Sequence, residues 1–227
     1  VWDKGGDDPV SEADLAVDCH LREQLLAARP NYGWVSEETE DDMARLEADR
    51  VFIVDPIDGT RSFVKGEATW AHSLAVAERG RVIAGVVFLP ARDKLYSAHA
   101  GGGATLNGVA LAASRRSTVD GADVLSPRVT FKPEHWTGGA PDVTRHFRPS
   151  LAYRMALVAE GRFDAMITLR NAWEWDIAAG TLIAEEAGGR VRDRHGQSLA
   201  FNSPQRQTAG VLAGGPEIVA TLLSRLA

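Results

Sequence analysis

The chain has 227 residues and a formal net charge of -6, an acidic balance that argues against a surface for nucleic acid polymers or anionic membranes. No apolar run approaches the roughly 20 residues of a membrane-spanning helix, and no signal-peptide pattern opens the sequence, so the cytoplasm is the expected compartment. Cys19 is the single cysteine, which excludes an internal disulfide and a cysteine-ligated zinc site.

The first predicted element is a helix that begins after Ser11. Ser11 can cap this helix, and Asp14, three residues later, stands in the position that completes a capping box. Apolar residues recur at helical spacing as far as Pro30, which ends the pattern. Asp14 thus has a structural explanation as a first-turn acid that interacts favourably with the helix dipole.

A short apolar strand is predicted at residues 51–54. It leads into the segment with the most candidate metal- and phosphate-binding residues, the sequence DPIDGTR at residues 55–61. Asp55, Asp58 and the main-chain carbonyl of Ile57 can converge there on a hard cation such as Mg²⁺, Mn²⁺ or Ca²⁺. The residues that follow predict a helix start, whose N–H groups and positive dipole end favour a phosphate. The alternative is an ordinary surface turn, because Asp, Pro and Gly are common in turns.

Two further acidic segments lie far apart in the sequence. Glu37 and Glu38 end a predicted strand that begins at Gly33, and Asp176 stands at the predicted N-cap of a helix over residues 177–186. Aspartate is a preferred cap, so Asp176 also has a structural explanation. A carboxylate at a helix start nevertheless projects from a rigid element, which suits a metal ligand.

The other segments complete an alternating pattern of strands and helices. Three strands of an antiparallel sheet are predicted at residues 72–78, 81–89 and 94–100. The three glycines at 101–103 are interpreted as a strand connection. A polar segment at 114–121 divides the chain into two predicted α/β halves, residues 1–118 and 119–227. The second half is predicted to contain an irregular loop at 130–149, helices at 150–160 and 216–226, and strands at 164–169, 190–192 and 210–213.

Four separated segments together resemble the inositol monophosphatase family, whose members are metal-dependent, lithium-sensitive phosphomonoesterases. The segments are Ser36-Glu37-Glu38, Asp55 to Thr60, Trp175 to Gly180, and Glu186-Ala187-Gly188-Gly189. They occur in the family's order, and the resemblance runs from about Lys4 to the last helix. It implies an α/β (α+β) fold, a layered αβαβα sandwich with mixed and antiparallel sheets, and commonly a homodimer.

The resemblance also implies a site that holds two or three Mg²⁺ ions, which Mn²⁺ can replace. The implied metal ligands are Glu37, Asp55, the carbonyl of Ile57, Asp58 and Asp176. The implied catalytic residues are Asp14, Glu37 and Thr60, which together position and deprotonate a water molecule. The phosphate is expected at Gly59, Thr60 and Arg61, and the rest of the substrate at Lys4, Ser150 and Glu174.

The expected substrate is a small phosphate monoester. In the inositol-specific branch of the family a glutamate stands seven residues before the aspartate of the third motif, where this chain has Leu169. The segment from Glu174 to Gly180 is more similar to the bacterial 3'(2'),5'-bisphosphate nucleotidases, so we expect that activity first. Inositol-1-phosphate and histidinol phosphate are the alternative substrates, and a metal- or ligand-binding member without catalysis is the alternative outside enzymes.

Overall fold

The computed structural model describes residues 2–3 and 9–227, with side chains from Ser11 onward, so Lys4 lies outside the described residues. The α-helices are α1 (Glu12–Ala28), α2 (Thr60–Val64), α3 (Leu151–Ala159), α4 (Glu174–Glu186) and α5 (Pro216–Arg225). The strands are β1 (Trp2–Asp3), β2 (Pro9–Val10), β3 (Gly33–Ser36), β4 (Arg50–Asp58), β5 (Ala71–Glu78), β6 (Arg81–Leu89), β7 (Lys94–His99), β8 (Ala104–Leu106), β9 (Val109–Ala110), β10 (Ala122–Leu125), β11 (Val143–His146), β12 (Ala165–Thr168), β13 (Ala172–Trp173), β14 (Arg190–Arg192), β15 (Gln207–Thr208) and β16 (Val211–Gly214).

Two large sheets organise these elements. The first sheet has the strand order β3-β4-β5-β6-β7-β8-β9, in which β3 and β4 are parallel and all other neighbours are antiparallel. The second sheet has the order β11-β10-β12-β16-β14, in which β10 is parallel to β11 and to β12. Strand β16 is antiparallel to both of its neighbours. The expected combination of antiparallel and mixed sheets is therefore confirmed.

The helices form three layers around the two sheets. Helices α3 and α4 lie between the sheets and contact both, whereas α1 packs on the first sheet and α5 on the second. Side chains alternate along β4 accordingly: Val51 and Ile53 belong to the central core, and Phe52 and Val54 to the smaller core under α1. This gives the expected αβαβα order. Within the described residues, no helix combines the length and apolarity needed to cross a bilayer.

Small residues allow α4 to pack closely on both sides. A Cβ atom at Gly180 would lie 2.6 Å from the Cβ of Met155 on α3. On the other side, a Cβ atom at Gly85 of β6 would lie 3.0 Å from the Cα of Ala179. These short distances set the spacing of α4 from α3 and from the first sheet, and hence the position of Asp176 at its start.

Two predicted boundaries and one predicted loop were wrong, each for a reason outside the local sequence. Strand β4 continues to Asp58 because β5 pairs with it beyond Val54. Helix α4 begins at Glu174, so Asp176 lies in its first turn and is not its N-cap. The predicted loop at 130–149 contains β11, which is stabilised by parallel pairing with β10.

Candidate active site

Three aspartates converge where β4 ends and α4 begins. Asp55, Asp58 and Asp176 each place one carboxylate oxygen within 4.8 Å of the others. Asp55 and Asp58 are only 1% and 7% exposed, and Asp176 is partly exposed. The fold thus brings together three of the metal ligands that the sequence predicted, and we call them the acidic cluster.

A bulge in β4 places Asp55 and Asp58 together. In a regular strand, side chains three residues apart point to opposite faces of the sheet. Here Asp55 pairs with Ser73 of β5 and Asp58 pairs with Ala71, so three steps along β4 match two along β5. The extra residue rotates the end of the strand and turns both carboxylates toward one site.

Glu37, the residue after β3, approaches this site beside β4. Its main-chain N–H donates to the carbonyl of Val54 at 3.2 Å, directly beside Asp55. The segment is anchored by Asp18 of α1, whose carboxylate accepts hydrogen bonds from the hydroxyls of Ser36 and Thr39. Sequence reasoning missed Asp18, although its position one helical turn after Asp14 would have placed the two carboxylates on one face.

Residues in the second half of the chain fix the carboxylate of Asp58 by hydrogen bonds. Its Oδ2 accepts the Ser150 hydroxyl at 2.6 Å and the main-chain N–H of Ala152 at 2.6 Å. The Ser150 oxygen also accepts the N–H of Tyr153 at 3.0 Å and so caps α3. Ser150 is fully buried, which favours a role in positioning Asp58 over the substrate contact that the resemblance implied.

Glu174 is also fully buried. Its carboxylate accepts the main-chain N–H groups of Asn202 at 2.6 Å and Ser203 at 3.0 Å. Those bonds fix the loop before β15 against the start of α4. This placement, too, favours a structural role over direct contact with substrate.

Thr60 lies between Asp14 and the backbone of the central motif. Its hydroxyl oxygen is 3.1 Å from Asp14 Oδ1 and 3.0 Å from the carbonyl oxygen of Ile57. The other Asp14 oxygen accepts the N–H of Ser11 at 2.8 Å and its hydroxyl at 2.5 Å. Asp14 therefore completes the predicted capping box and at the same time faces Thr60, so its structural and functional interpretations are compatible.

Gly59 provides the turn from β4 into α2. Its φ of 97° lies in the left-handed region, and its carbonyl accepts the N–H groups of Ser62 and Phe63. The predicted helix start after the acidic motif is confirmed, and α2 spans Thr60–Val64. Arg61 lies on the exposed side of this turn.

Ser73 connects the two elements that carry the acidic cluster. It is buried on β5 opposite Asp55, and its hydroxyl donates to the main-chain carbonyl of Trp175 at 2.9 Å. This bond fixes the first turn of α4 against the first sheet. No local pattern distinguishes Ser73 from any other strand serine, so only the structure identifies it.

Burial and mutual repulsion dominate the electrostatics of the cluster. Burial, then the neighbouring charges of Glu37 and Asp58, raise the pKa of Asp55 well above its ordinary value, and burial and Asp58 do the same to the pKa of Asp176. Burial also raises the pKa of Asp58, although the hydrogen bond from Ser150 opposes the shift. The buried guanidinium of Arg154 on α3 also opposes the shift of Asp58, and burial lowers the pKa of Arg154 itself to about 10.

These residues fit a divalent cation. Asp55 Oδ1 is buried and has no hydrogen-bond partner within the described part of the chain. A buried carboxylate oxygen without a donor is costly, as is the repulsion among clustered carboxylates, unless a cation compensates for both. An all-oxygen donor set is the one that Mg²⁺ and similar hard ions prefer.

Comparison with known proteins finds relatives that match nearly the whole chain. The family model described as the inositol monophosphatase family matches residues 2–225. An inositol-1-monophosphatase of Rhizobium meliloti (strain 1021) is 37% identical over 230 residues, covering 97% of this chain and 83% of the relative. Nus factor SuhB of Escherichia coli (strain K12) is 31% identical over 232 residues, covering 98% of this chain and 84% of the relative.

Solved structures show the same fold. The extragenic suppressor protein suhB from Bartonella henselae superposes with a TM-score of 0.84 at 30% identity, covering 98% of this chain and 86% of that one. An IMPase of Thermotoga maritima gives a TM-score of 0.82 at 30% identity, covering 97% and 84%. The match of the family model along nearly the whole chain establishes that this protein belongs to the inositol monophosphatase family of metal-dependent phosphomonoesterases.

Proposed function

We propose that the acidic cluster and the Thr60–Asp14 pair together hydrolyse a small phosphate monoester by direct attack of water on phosphorus. The main support for the proposal is that the acidic cluster and the Thr60–Asp14 pair are adjacent. Thr60 follows Asp58 by two residues, and its hydroxyl contacts both Asp14 and the Ile57 carbonyl. Covalent catalysis has no comparable group of residues in the sequence.

The proposed metal ligands form two overlapping sets. Glu37, Asp55 and the Ile57 carbonyl would hold one Mg²⁺, and Asp55, Asp58 and Asp176 would hold a second. When bound, such ions lower the pKa of a coordinated water and neutralise charge on the phosphate and on the leaving oxygen. The hydrogen bonds to Asp58 from Ser150 and Ala152 leave its other carboxylate oxygen for this purpose.

Thr60 and Asp14 would orient the attacking water. Because the Thr60 hydroxyl has one proton, donating it to Asp14 leaves the lone pairs of Thr60 Oγ1 to accept a hydrogen bond from water. Glu37 would then accept the other proton of that water as attack proceeds. The carboxylate of Asp14 is itself fixed by Ser11, which keeps the Thr60 hydroxyl in one orientation.

The start of α2 would bind the phosphate. Gly59, Thr60 and Arg61 lie where the first N–H groups of that helix and its positive dipole end meet the acidic cluster. Fixed N–H donors at this point stabilise the negative charge on the phosphate oxygens in the transition state.

Three substrates are proposed in order. Adenosine 3',5'-bisphosphate is first, because Leu169 places an apolar side chain, partly buried against the core under α5, where a hydroxyl-binding carboxylate would favour inositol. Inositol-1-phosphate is second and is supported by the names of relatives at 37% and 35% identity. Histidinol phosphate is the third ester to test.

The test is phosphate release from these three esters with Mg²⁺, with Mn²⁺, with EDTA and with added Li⁺. We expect release that requires the metal, falls with Li⁺ and is lost in Asp55→Asn. Asp120→Asn, which changes an exposed aspartate, is the matched control. Folded protein that binds Mg²⁺ but hydrolyses none of the esters would instead support a binding role. Light scattering on the same sample tests the proposed homodimer.

A further inference from the structure

His72 of β5 lies opposite the bulge in β4 that places two carboxylates of the acidic cluster together. Two residues of β4, Pro56 and Ile57, face it, because the longer strand has one extra residue here. A bulge leaves the extra residue outside the regular hydrogen-bond ladder, and a proline has no N–H to donate. The main-chain groups at this point of β4 therefore need partners from outside the ladder.

The His72 side chain supplies one such partner. Its Nδ1 forms a hydrogen bond with the main-chain carbonyl of Pro56. A carbonyl oxygen can only accept, so Nδ1 carries the proton and donates it. Because Pro56 is buried, this carbonyl would be costly to leave without a donor.

This bond fixes the backbone that leads to a proposed metal ligand. The Pro56 carbonyl belongs to the planar peptide unit that joins Pro56 to Ile57. The proline ring restricts the φ angle of Pro56, and the bond to His72 restricts its ψ angle, which sets the orientation of that peptide unit. The next carbonyl, that of Ile57, is the proposed ligand and accepts the Thr60 hydroxyl at 3.0 Å. Two side chains, His72 and Thr60, thus hold consecutive carbonyls of the motif.

Neighbouring aromatic rings hold the imidazole of His72 in place. Trp70 packs edge to face against it, with ring centroids 5.3 Å apart, and the ring of Phe88 on β6 lies 6.2 Å away. Trp70 also packs edge to face against Phe63 of α2, at 5.0 Å. The imidazole is therefore packed between β6 and a ring that contacts the proposed phosphate-binding helix.

Packing alone does not require a histidine at this position. Val17 and Leu21 of α1 and Leu74 of β5 line the same cavity as the His72 ring, so its surroundings on this face of the sheet are apolar. A leucine side chain would suit them. What the imidazole adds is an N–H donor aimed at the Pro56 carbonyl.

We infer that His72 is a positioning residue for metal binding: its Nδ1–H fixes the Pro56–Ile57 peptide unit and thereby the Ile57 carbonyl beside Asp55. The inference rests on the proposed function, in which Asp55 and the Ile57 carbonyl are metal ligands. Loss of a group that orients a metal ligand typically weakens metal binding by 10- to 100-fold.

Two substitutions separate the donor from the packing. His72→Leu keeps an apolar side chain but removes the donor, and calorimetric titration of substrate-free protein is expected to show Mg²⁺ binding weakened by at least about tenfold. His72→Asn keeps an N–H donor one bond from Cγ, where Nδ1 lies, and is expected to bind Mg²⁺ within about threefold of wild type. Asparagine is smaller than leucine, so this recovery cannot come from better packing.

His146→Leu is the matched control. His146 is a partly buried histidine of β11 that also makes one hydrogen bond, to Asp123 at 2.7 Å, and one edge-to-face contact, with Phe163 at 5.0 Å. It lies in the second sheet, away from the bulge. We expect Mg²⁺ binding to be unchanged in this variant.

Hydrolysis measured against Mg²⁺ concentration provides a second readout. His72→Leu is expected to need at least about tenfold more Mg²⁺ for half-maximal rate, whereas kcat at saturating Mg²⁺ should stay within about threefold of wild type. Thermal unfolding in EDTA shows whether each variant is folded.

Nuclear magnetic resonance of wild-type protein labelled with ¹⁵N-histidine tests the bond without any substitution. In alkaline solution, where imidazole is neutral, we expect His72 to be protonated at Nδ1; its signals are those missing from His72→Asn. Protonation at Nε2 alone would overturn the inference even if His72→Leu does not fold.

Three results of the titrations would overturn the inference while the proposed function stands. They are Mg²⁺ binding by His72→Leu equal to that of wild type, equal weakening in His72→Leu and His72→Asn, and equal weakening in His146→Leu. Folded wild-type protein that binds no Mg²⁺ would instead overturn the proposed function, and this inference with it.

Discussion

The hydroxyl of Ser150 lies 2.6 Å from Oδ2 of Asp58, a residue 92 positions earlier in the chain. The bond joins the start of α3 to the end of β4, and it fixes one carboxylate of the acidic cluster. Because the same hydroxyl oxygen caps α3 through Tyr153, helix stability and ligand position depend on one side chain.

Ser150→Ala is expected to lower the free energy of unfolding by about 1–2 kcal/mol, since it removes a helix cap and a buried hydrogen bond. It is also expected to weaken Mg²⁺ binding by about tenfold, because a ligand's supporting partner is lost. Urea unfolding and calorimetric Mg²⁺ titration measure the two effects.

Ser114→Ala is the matched control for that substitution. Ser114 donates to Asp164 at 2.5 Å, a bond of the same chemical kind away from the acidic cluster. This variant is expected to affect stability and leave Mg²⁺ binding unchanged. Equal weakening of Mg²⁺ binding in both variants would contradict the role given to Ser150.

The metal-free protein is expected to lose stability as pH rises. Burial and the charges of Glu37 and Asp58 raise the pKa of Asp55 in the folded chain well above 3.8. Between the ordinary pKa and the raised pKa of Asp55, the folded state binds more protons than the unfolded state. The free energy of unfolding therefore falls with increasing pH in this range. The contribution is complete below about pH 4 and is lost as pH passes the raised pKa.

Melting temperatures measured in EDTA and in Mg²⁺ test whether stability falls as pH rises. The increase in Tm on adding Mg²⁺ is expected to be larger near about pH 8 than near about pH 5, since the ion binds the ionised carboxylates. Asp55→Asn should flatten the EDTA profile relative to wild type. An EDTA profile that rises over this range equally in both proteins would show that the cluster does not have the raised pKa values.

Gly59→Ala is expected to reduce both stability and activity. Its φ of 97° costs a residue with a Cβ atom about 1 kcal/mol or more, and that Cβ atom would lie 3.3 Å from the carbonyl oxygen of Thr69. Gly66→Ala is the control, because Gly66 has a φ of 71° and open space around it. We expect comparable loss of stability in both, and at least about a tenfold loss of kcat only in Gly59→Ala, where the proposed phosphate donors shift.

Gly180→Ala is expected to destabilise the fold by about 1–3 kcal/mol through overpacking against Met155. The matched test is a double-mutant cycle with Met155→Ala, which removes the Sδ and Cγ atoms that the new methyl group would meet at 2.9 and 3.2 Å but keeps the Cβ atom at 2.6 Å. The cost of Gly180→Ala should be smaller in the Met155→Ala background, because two of the three close contacts are gone. Strictly additive changes in the free energy of unfolding would show that this contact does not set the spacing of α4.

Features that depend on neighbouring residues could be predicted from the sequence. The Ser11–Asp14 capping box, the hairpin of β5 and β6, and the helix start after Gly59 each arise from interactions over a few residues. Leu169 and Asp176 were identified through the resemblance to the family, although their surroundings were not.

The errors lie where the decisive interaction is long-range. The bulge between Asp55 and Asp58 depends on pairing with β5, and β11 depends on pairing with β10. The contacts of Ser150 with Asp58 and of Glu174 with the 202–203 loop could not be seen in the sequence either, and the expected contact of both residues with substrate stays a prediction. Spacing along the chain carries no information about such burial.

The sequence by itself determined which residues could take part in the chemistry: carboxylates for a hard cation and a helix start for a phosphate. Their types and spacing are local properties, so they are visible before folding. Only the tertiary structure decided how Asp176 meets Asp55 and Asp58, and that Ser73 and Asp18 hold the elements in place. Those relationships come from packing two sheets against α3 and α4, which joins residues more than a hundred positions apart.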